Sequence, residues 1–271
     1  MAEGKTTVSS EHVFDVLRLV AAAGRPIGAS EVAATLKLSH TTAHRALLTL
    51  LEVKAIDRSF GGSKYHPGVL THELLDSLYN RFAIRAASYP TLRRLAASTG
   101  ETASMGILLG WYGIRIAAIG GWKPNRVSRV GKYTSLNSSS AGRCMLAFSP
   151  AQAREDYLAK GLKIRFTEDT PTEVADLKRR IDAIRAQGYE VDIGGVFDDV
   201  ASVSFPIRLA PDHCIASITI EGPRFQFDPH NDPLLPDWIA AVALLEQEVQ
   251  ANPQKFIPPF SELKPEALLL P

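Results

Sequence analysis

The stretch from Gly28 to Tyr65, GASEVAATLKLSHTTAHRALLTLLEVKAIDRSFGGSKY, constrains this chain more than any other. Val32, Ala33 and Leu36 mark the apolar face of a short helix. Lys37-Leu38-Ser39-His40 is a tight polar turn in which Leu38 can tuck between helices. Ser39 suits the N-cap of a second helix, where Ala43, Ala46, Leu47, Leu50 and Leu51 recur at helical spacing. That leaves His40, Thr41, Thr42, His44 and Arg45 on the outward side of its first turns. Ala55 to Phe60 reads as extended, Gly61-Gly62 as a turn and Ser63 to Pro67 as the return strand of a hairpin. Helix, turn, helix and hairpin in this order predict a winged helix-turn-helix.

In that motif the first residues of the second helix enter the major groove of DNA. Arg45 can pair with guanine or hold a phosphate, and Thr41, Thr42 and His44 suit base edges or phosphates. Ser30 and Ser39 at the helix starts and Lys64 on the wing complete the DNA-binding candidates. The same pattern fits a plain helical hairpin with a solvated polar face. The glycine turn and Lys64 favour the DNA reading. Net charge is +1, so any basic surface must be local. His40 and His44 have a spacing that can hold zinc, but Thr41 stands where the metalloprotease motif needs Glu, and no metal is expected.

Upstream, residues 1–9 read as frayed, with Ser10 capping a helix from Glu11 that ends at Gly24 and Pro26. Downstream, helical spacing continues from Leu70 to Ala96, and Pro90 is expected to split it into two helices. From Glu101 strands alternate with helices. The expected division is a winged helix-turn-helix over 10–67, a linker helix over 68–89, a mixed α+β domain over 90–252 and a Pro-rich tail over 253–271.

Cys144 and Cys214 lack a CxxC spacing, which suggests neither a disulfide framework nor a thiolate metal site and suits a reducing cytoplasm. No apolar run approaches the ~18 residues of a membrane span, and the N-terminus lacks a signal peptide's apolar core. Ser138, Ser139 and Ser140 precede a short helix, where they can either bind an anion or cap the helix. Asp192, Ser202, Thr219 and Glu221 are polar positions in strand-like surroundings. Paired carboxylates can do acid–base chemistry. No GxSxG, GxGxxG or P-loop accompanies them, so neither an enzyme nor a cofactor is expected.

The order of SEVAATLKLSHTTAHRALLTLLEVKAIDRS, SKYHPGVLTHEL, PTLRRLAASTGETASM, VGKYTSLNSSSAGRCMLA, GYEVD and SVSFPIRL with IASITIEGP resembles the IclR family of bacterial transcriptional regulators over about residues 11–250. The resemblance implies a winged helix-turn-helix, a linker helix and a GAF-like effector-binding domain with an antiparallel sheet. It implies a cytoplasmic homodimer or homotetramer on double-stranded operator DNA, controlling a catabolic or metabolic operon. A small metabolite in the C-terminal domain would alter operator binding. Carried over residue by residue, the pocket is Met105, Ser138, Ser139, Ser140, Ala141, Asp192, Ser202, Thr219 and Glu221. The departures are Ala55 for a glycine, Asn137 for a histidine, Gly194-Gly195 for an acidic pair, Asp198-Asp199 for Pro-Gly and Glu221 for a serine. A carboxylate at 221 repels a bound anion unless it is protonated or paired. The ligand is therefore expected to carry a donor or cationic group, or to be mostly apolar, rather than to be a simple anionic keto acid; Trp111 and Trp122 could wall the pocket, but core packing is the favoured role for either. The alternative from another class is a small-molecule-binding enzyme with an N-terminal dimerisation hairpin.

Overall fold

The computed structural model describes residues 6–79, 81–123, 130–161 and 163–256. The chain divides after Asn80 into two compact units, not near Pro90.

The first unit contains α1 (Thr6–Ala22), β1 (Ile27–Gly28), α2 (Ala29–Leu36), α3 (His40–Glu52), β2 (Ile56–Arg58), β3 (Lys64–Pro67) and α4 (Val69–Tyr79). Its sheet has the antiparallel order β1-β3-β2. Val16, Val20, Ile27, Val32, Leu47, Leu50, Ile56 and Tyr65 form the buried centre, with Leu38 packed partly against it as expected. α1 starts at Thr6, so Ser10 lies inside the helix rather than capping it. β1 was not expected, because two residues carry no periodicity to read. Lys54, at φ 58°, takes the left-handed turn after α3, so Ala55 needs no glycine freedom and is buried. Gly68 is held at a close approach: a Cβ there would lie 2.5 Å from the Lys54 carbonyl oxygen.

The second unit contains α5 (Ala83–Thr99), β4 (Thr102–Leu109), β5 (Tyr112–Ile119), β6 (Tyr133–Ser135), α6 (Ser140–Ala147), α7 (Ala151–Lys160), α8 (Val174–Gln187), β7 (Glu190–Ile193), β8 (Val200–Ala210), β9 (His213–Pro223), α9 (Leu235–Ala251) and α10 (Pro253–Phe256). The sheet is antiparallel throughout, in the order β6-β5-β4-β9-β8-β7. α5 packs on β4 and β5, α9 on β8, and α6 on the strands from β5 to β7. Pro90 lies inside α5 instead of ending it. Proline in a helix interior costs about 3 kcal/mol. Ile84 and Ser88 before it, with Leu92, Leu95 and Ala96 after it, are buried, and this packing on both sides holds the helix across the proline. The expected tail begins as α10 with Phe256 buried, while residues 257–271, including Pro258, Pro259, Pro265 and Pro271, lie outside the described residues.

Candidate functional site

In the first unit, α3 is set by its cap. The Ser39 side chain accepts the Thr42 N–H at 3.1 Å, and the two hydroxyls lie 2.8 Å apart. Ser39 and Thr42 therefore hold the helix start. Thr41 and Arg45 are exposed and His44 half-buried. The His40 and His44 rings stack with centroids 6.4 Å apart. No cluster able to hold a metal is found among the described residues. Ser30 is exposed in the first turn of α2, whose N-cap is Gly28. Lys64 is exposed at the first residue of β3, directly after the wing's turn, where its carbonyl accepts the Ser59 N–H at 2.9 Å, and it is in register with Gly28 on β1. The tip carries Phe60, which is fully exposed and was not singled out in the sequence. An aromatic residue directly before Gly61-Gly62 was the available signal.

In the second unit a cavity of about 420 Å³ opens between the sheet and the loop before α6. Strand register explains its wall. Asp192, Ser202, Glu221 and Thr102 stand opposite one another in sequence along β7, β8, β9 and β4. Glu190, Ser204, Thr219 and Ser104 form the next row. The period of two sends alternate residues to one face. Ser104 and Gly106 therefore line the cavity while Met105 does not. Met105 is fully buried between them on the opposite face of β4, which corrects the expectation for it. Met145 of α6 lines the cavity instead.

Ser139, Ser140, Ala141, Asp192, Ser202, Thr219 and Glu221 all line this cavity. Ser138 does not: it is fully buried, with its hydroxyl donating to the Ser135 carbonyl at 3.1 Å. Ser139 caps α6 through the Gly142 N–H at 3.1 Å. Ser140 lies 2.8 Å from both Ser202 and Ser204, and Ser204 lies 2.7 Å from Thr219. This hydroxyl chain ties α6 to the sheet. Asn137 faces away from the cavity. Its amide donates to the Ile164 and Pro171 carbonyls at 3.0 and 2.8 Å, and its oxygen accepts from Ser135.

Asp192 is pinned within the protein. One carboxylate oxygen pairs with Arg143, and the other accepts the Gly195 N–H at 3.0 Å. A Cβ at Gly195 would meet Asp192 at 2.4 Å, so the departure at Gly194-Gly195 makes room for this loop. Arg143 is wholly buried and also donates to Glu190 at 2.6 Å and to the Asn137 carbonyl at 2.8 Å. Burial pushes the Glu190 carboxyl up, against the opposing pull of Arg143.

Glu221 is paired across the sheet. Its Oε2 accepts from Arg115 of β5 at 2.9 Å. Burial raises its carboxyl above the ordinary range, while Arg115 and then Lys132 act to lower it. Lys132, also on the cavity, makes no salt bridge among the described residues and sits 4.8 Å from the Phe197 ring centre. Arg115, Lys132 and Arg143 were missed in the sequence because nothing local marks their long-range partners. Ile114, Val196, Phe197 and Val200 give the cavity an apolar side. Neither tryptophan lines it: Trp111 packs in the core against Tyr157, and Trp122 is 73% exposed. Cys144 and Cys214 are free and buried, and burial pushes both thiols up, Cys214 to about 12.

The two carboxylates considered for acid–base work, Asp192 and Glu221, are thus each held by an arginine. The cavity has the size and mixed lining of a small-molecule site.

Comparison with known proteins places both units. Residues 9–58 match the IclR helix-turn-helix domain, and residues 77–244 match the bacterial transcriptional regulator IclR C-terminal domain. The glycerol operon regulatory protein of Streptomyces griseus is 27% identical over 228 residues, covering 83% of this chain and 88% of that protein. The IclR structure from Thermotoga maritima superposes with a TM-score of 0.76 at 24% identity, covering 90% of this chain and 99% of that one. An IclR homologue from Microbacterium hydrocarbonoxydans, complexed with 4-hydroxybenzoate, superposes with a TM-score of 0.71 at 20% identity, covering 90% and 98%. The chain belongs to the IclR family of transcriptional regulators, with a helix-turn-helix for DNA and a C-terminal domain for a small effector.

Proposed function

We propose that this regulator reads its operator with the exposed start of α3 and releases or grips it according to the occupant of the second unit's cavity. The observation that carries this reading is the cavity itself, which joins Ser139, Ser140 and Ala141 at the start of α6 to Asp192, Ser202, Thr219 and Glu221. In the proposed interface Arg45, Thr41 and His44 meet base edges or phosphates, and Lys64 and Ser30 meet the backbone. Ser39 and Thr42 serve by setting the helix start. Effector and operator are then coupled through a free energy that acts equally in both directions. The 4-hydroxybenzoate bound by the Microbacterium homologue supports an organic acid as the effector class.

The working form in this reading is a homodimer, or a pair of dimers, on double-stranded operator DNA in the cytoplasm. Support comes from α4, which leaves Val69, Leu74 and Leu75 exposed at 51%, 62% and 43%. Apolar side chains grouped on one helix are best covered by a second copy. A gel shift of the purified protein on the DNA upstream of its own gene, in moderate salt with nonspecific competitor, tests the reading. A specific retarded band is expected. Binding no tighter than to the competitor overturns it.

A further inference from the structure

We propose that Arg115 and Glu221 together select a 2-hydroxy acid with an apolar side chain, its carboxylate against Arg115 and Lys132 and its hydroxyl donating to Glu221 Oε1. This deepens the effector-binding reading and rests on it. Two observations meet at one spot. Glu221 lines the cavity with its side chain 16% exposed, and its Oε1 is buried and has no hydrogen-bond partner among the described residues. Its other oxygen is already engaged by Arg115 at 2.9 Å. A buried acceptor left without a donor is expensive, so a ligand that supplies one gains over a ligand that does not. A carboxylate without its proton offers only acceptors, which makes the matching ligand group a donor.

Two cations on the cavity wall, Arg115 and Lys132, then favour an acid. Asp192 is matched by Arg143, which also holds Glu190. Arg115 is matched by Glu221. Lys132 also lies on the cavity, makes no salt bridge among the described residues and adds its positive charge toward Glu221. A guanidinium has five N–H donors, and one of Arg115's is used on Glu221. An anion can therefore bind beside the pair without breaking it. Because Arg115 and Glu221 touch, the acid and hydroxyl of the ligand must be neighbours, which is the geometry of a 2-hydroxy acid. Ile114, Met145, Val196, Phe197 and Val200 supply apolar surface for the remainder.

The test is calorimetric titration of the full-length protein with mandelate and with phenylacetate, which share a skeleton and differ in the hydroxyl. Mandelate is expected to bind at least about tenfold more tightly, the range of a hydrogen bond to a charged group. In Glu221→Met the preference should vanish and phenylacetate should bind more tightly than to the wild type, because the repelling carboxylate is gone. Equal binding of the two acids by the wild type, or binding of neither, overturns the proposal without any variant having to fold. The gel shift on the same preparation separates the two levels: lost discrimination with intact operator binding sinks this inference alone.

Discussion

Arg143 on α6 holds Asp192 on β7 by a buried ion pair, which matches within the protein the charge of a carboxylate that also lines the cavity. The arginine is fully buried, and Glu190 shares it at 2.6 Å. Removing one partner of such a group leaves a buried charge unmatched, which costs about 3–5 kcal/mol. Arg143→Met should therefore lower the unfolding free energy by that amount in urea. Adding Glu190→Gln and Asp192→Asn should recover most of the loss. A single variant as stable as the wild type would show that the triad is not the brace described here.

Ser39 and Arg45 stand six residues apart on the same helix start but should fail in different ways. Ser39→Ala removes the 3.1 Å cap to the Thr42 N–H and should cost about 0.5–2 kcal/mol of stability. Arg45 is exposed, and its side chain makes no hydrogen bond among the described residues. Arg45→Ala should leave the melting temperature unchanged and weaken operator binding by about 1–3 kcal/mol, the value of a base contact. Effector binding should be unaffected. An Arg45→Ala protein that shifts the operator as well as the wild type would remove this residue from the interface.

How much of this was legible in the sequence depends on distance along the chain. The cap at Ser39, the tuck of Leu38 and the apolar face of α3 are local, and local spacing displays them. The break between units is not local. Pro90 marked the wrong place because burial of α5 on both sides of the proline outweighs its penalty. In the cavity, the family pattern brought together Ser140 of α6 and Ser202, Thr219 and Glu221 of the sheet, but chose Met105 where strand alternation puts Ser104 and Gly106. Arg115 and Arg143 escaped notice because their partners lie 106 and 49 residues away. An arginine at a strand or helix position looks solvated until its carboxylate is known.

Gly68 offers a separate check on the first unit. A Cβ there would meet the Lys54 carbonyl oxygen at 2.5 Å and Ile56 backbone carbon at 2.7 Å. Backbone cannot swing aside as a side chain can. Gly68→Ala should destabilise the first unit by about 1–3 kcal/mol, as overpacking does. Operator binding should fall while calorimetric effector binding persists. A neutral Gly68→Ala would mean that the approach of β2 to the start of α4 is looser than described.

Leu74 and Leu75 expose apolar surface on α4 that the proposed dimer would cover. The double variant Leu74→Glu, Leu75→Lys should shift the protein toward monomer in light scattering and weaken operator binding, since a monomer engages one half-site. Its thermal stability per chain should fall only through lost association. An unchanged oligomeric mass would place the contact elsewhere.

Glu221 gives the molecule a pH dependence whose sign follows from its surroundings. Arg115 and Lys132 face it from β5 and from the segment before β6, and Asp192 stands beyond Ser202 in the same row. Burial is the largest influence and lifts the folded carboxyl above its ordinary 4.5. The folded state then holds a proton through a window in which the unfolded chain has lost it. By linkage, stability from this group is fully present below about 4.5 and is lost as pH rises through the folded value. Glu221→Gln should remove that slope, seen as a smaller loss of unfolding free energy between acidic and neutral pH than in the wild type. Ligand affinity should run the other way. The charged carboxylate is the proposed acceptor, so mandelate should bind less well as pH falls into the same window, while phenylacetate should lose less. Parallel pH profiles for the two acids would detach Glu221 from the ligand's hydroxyl.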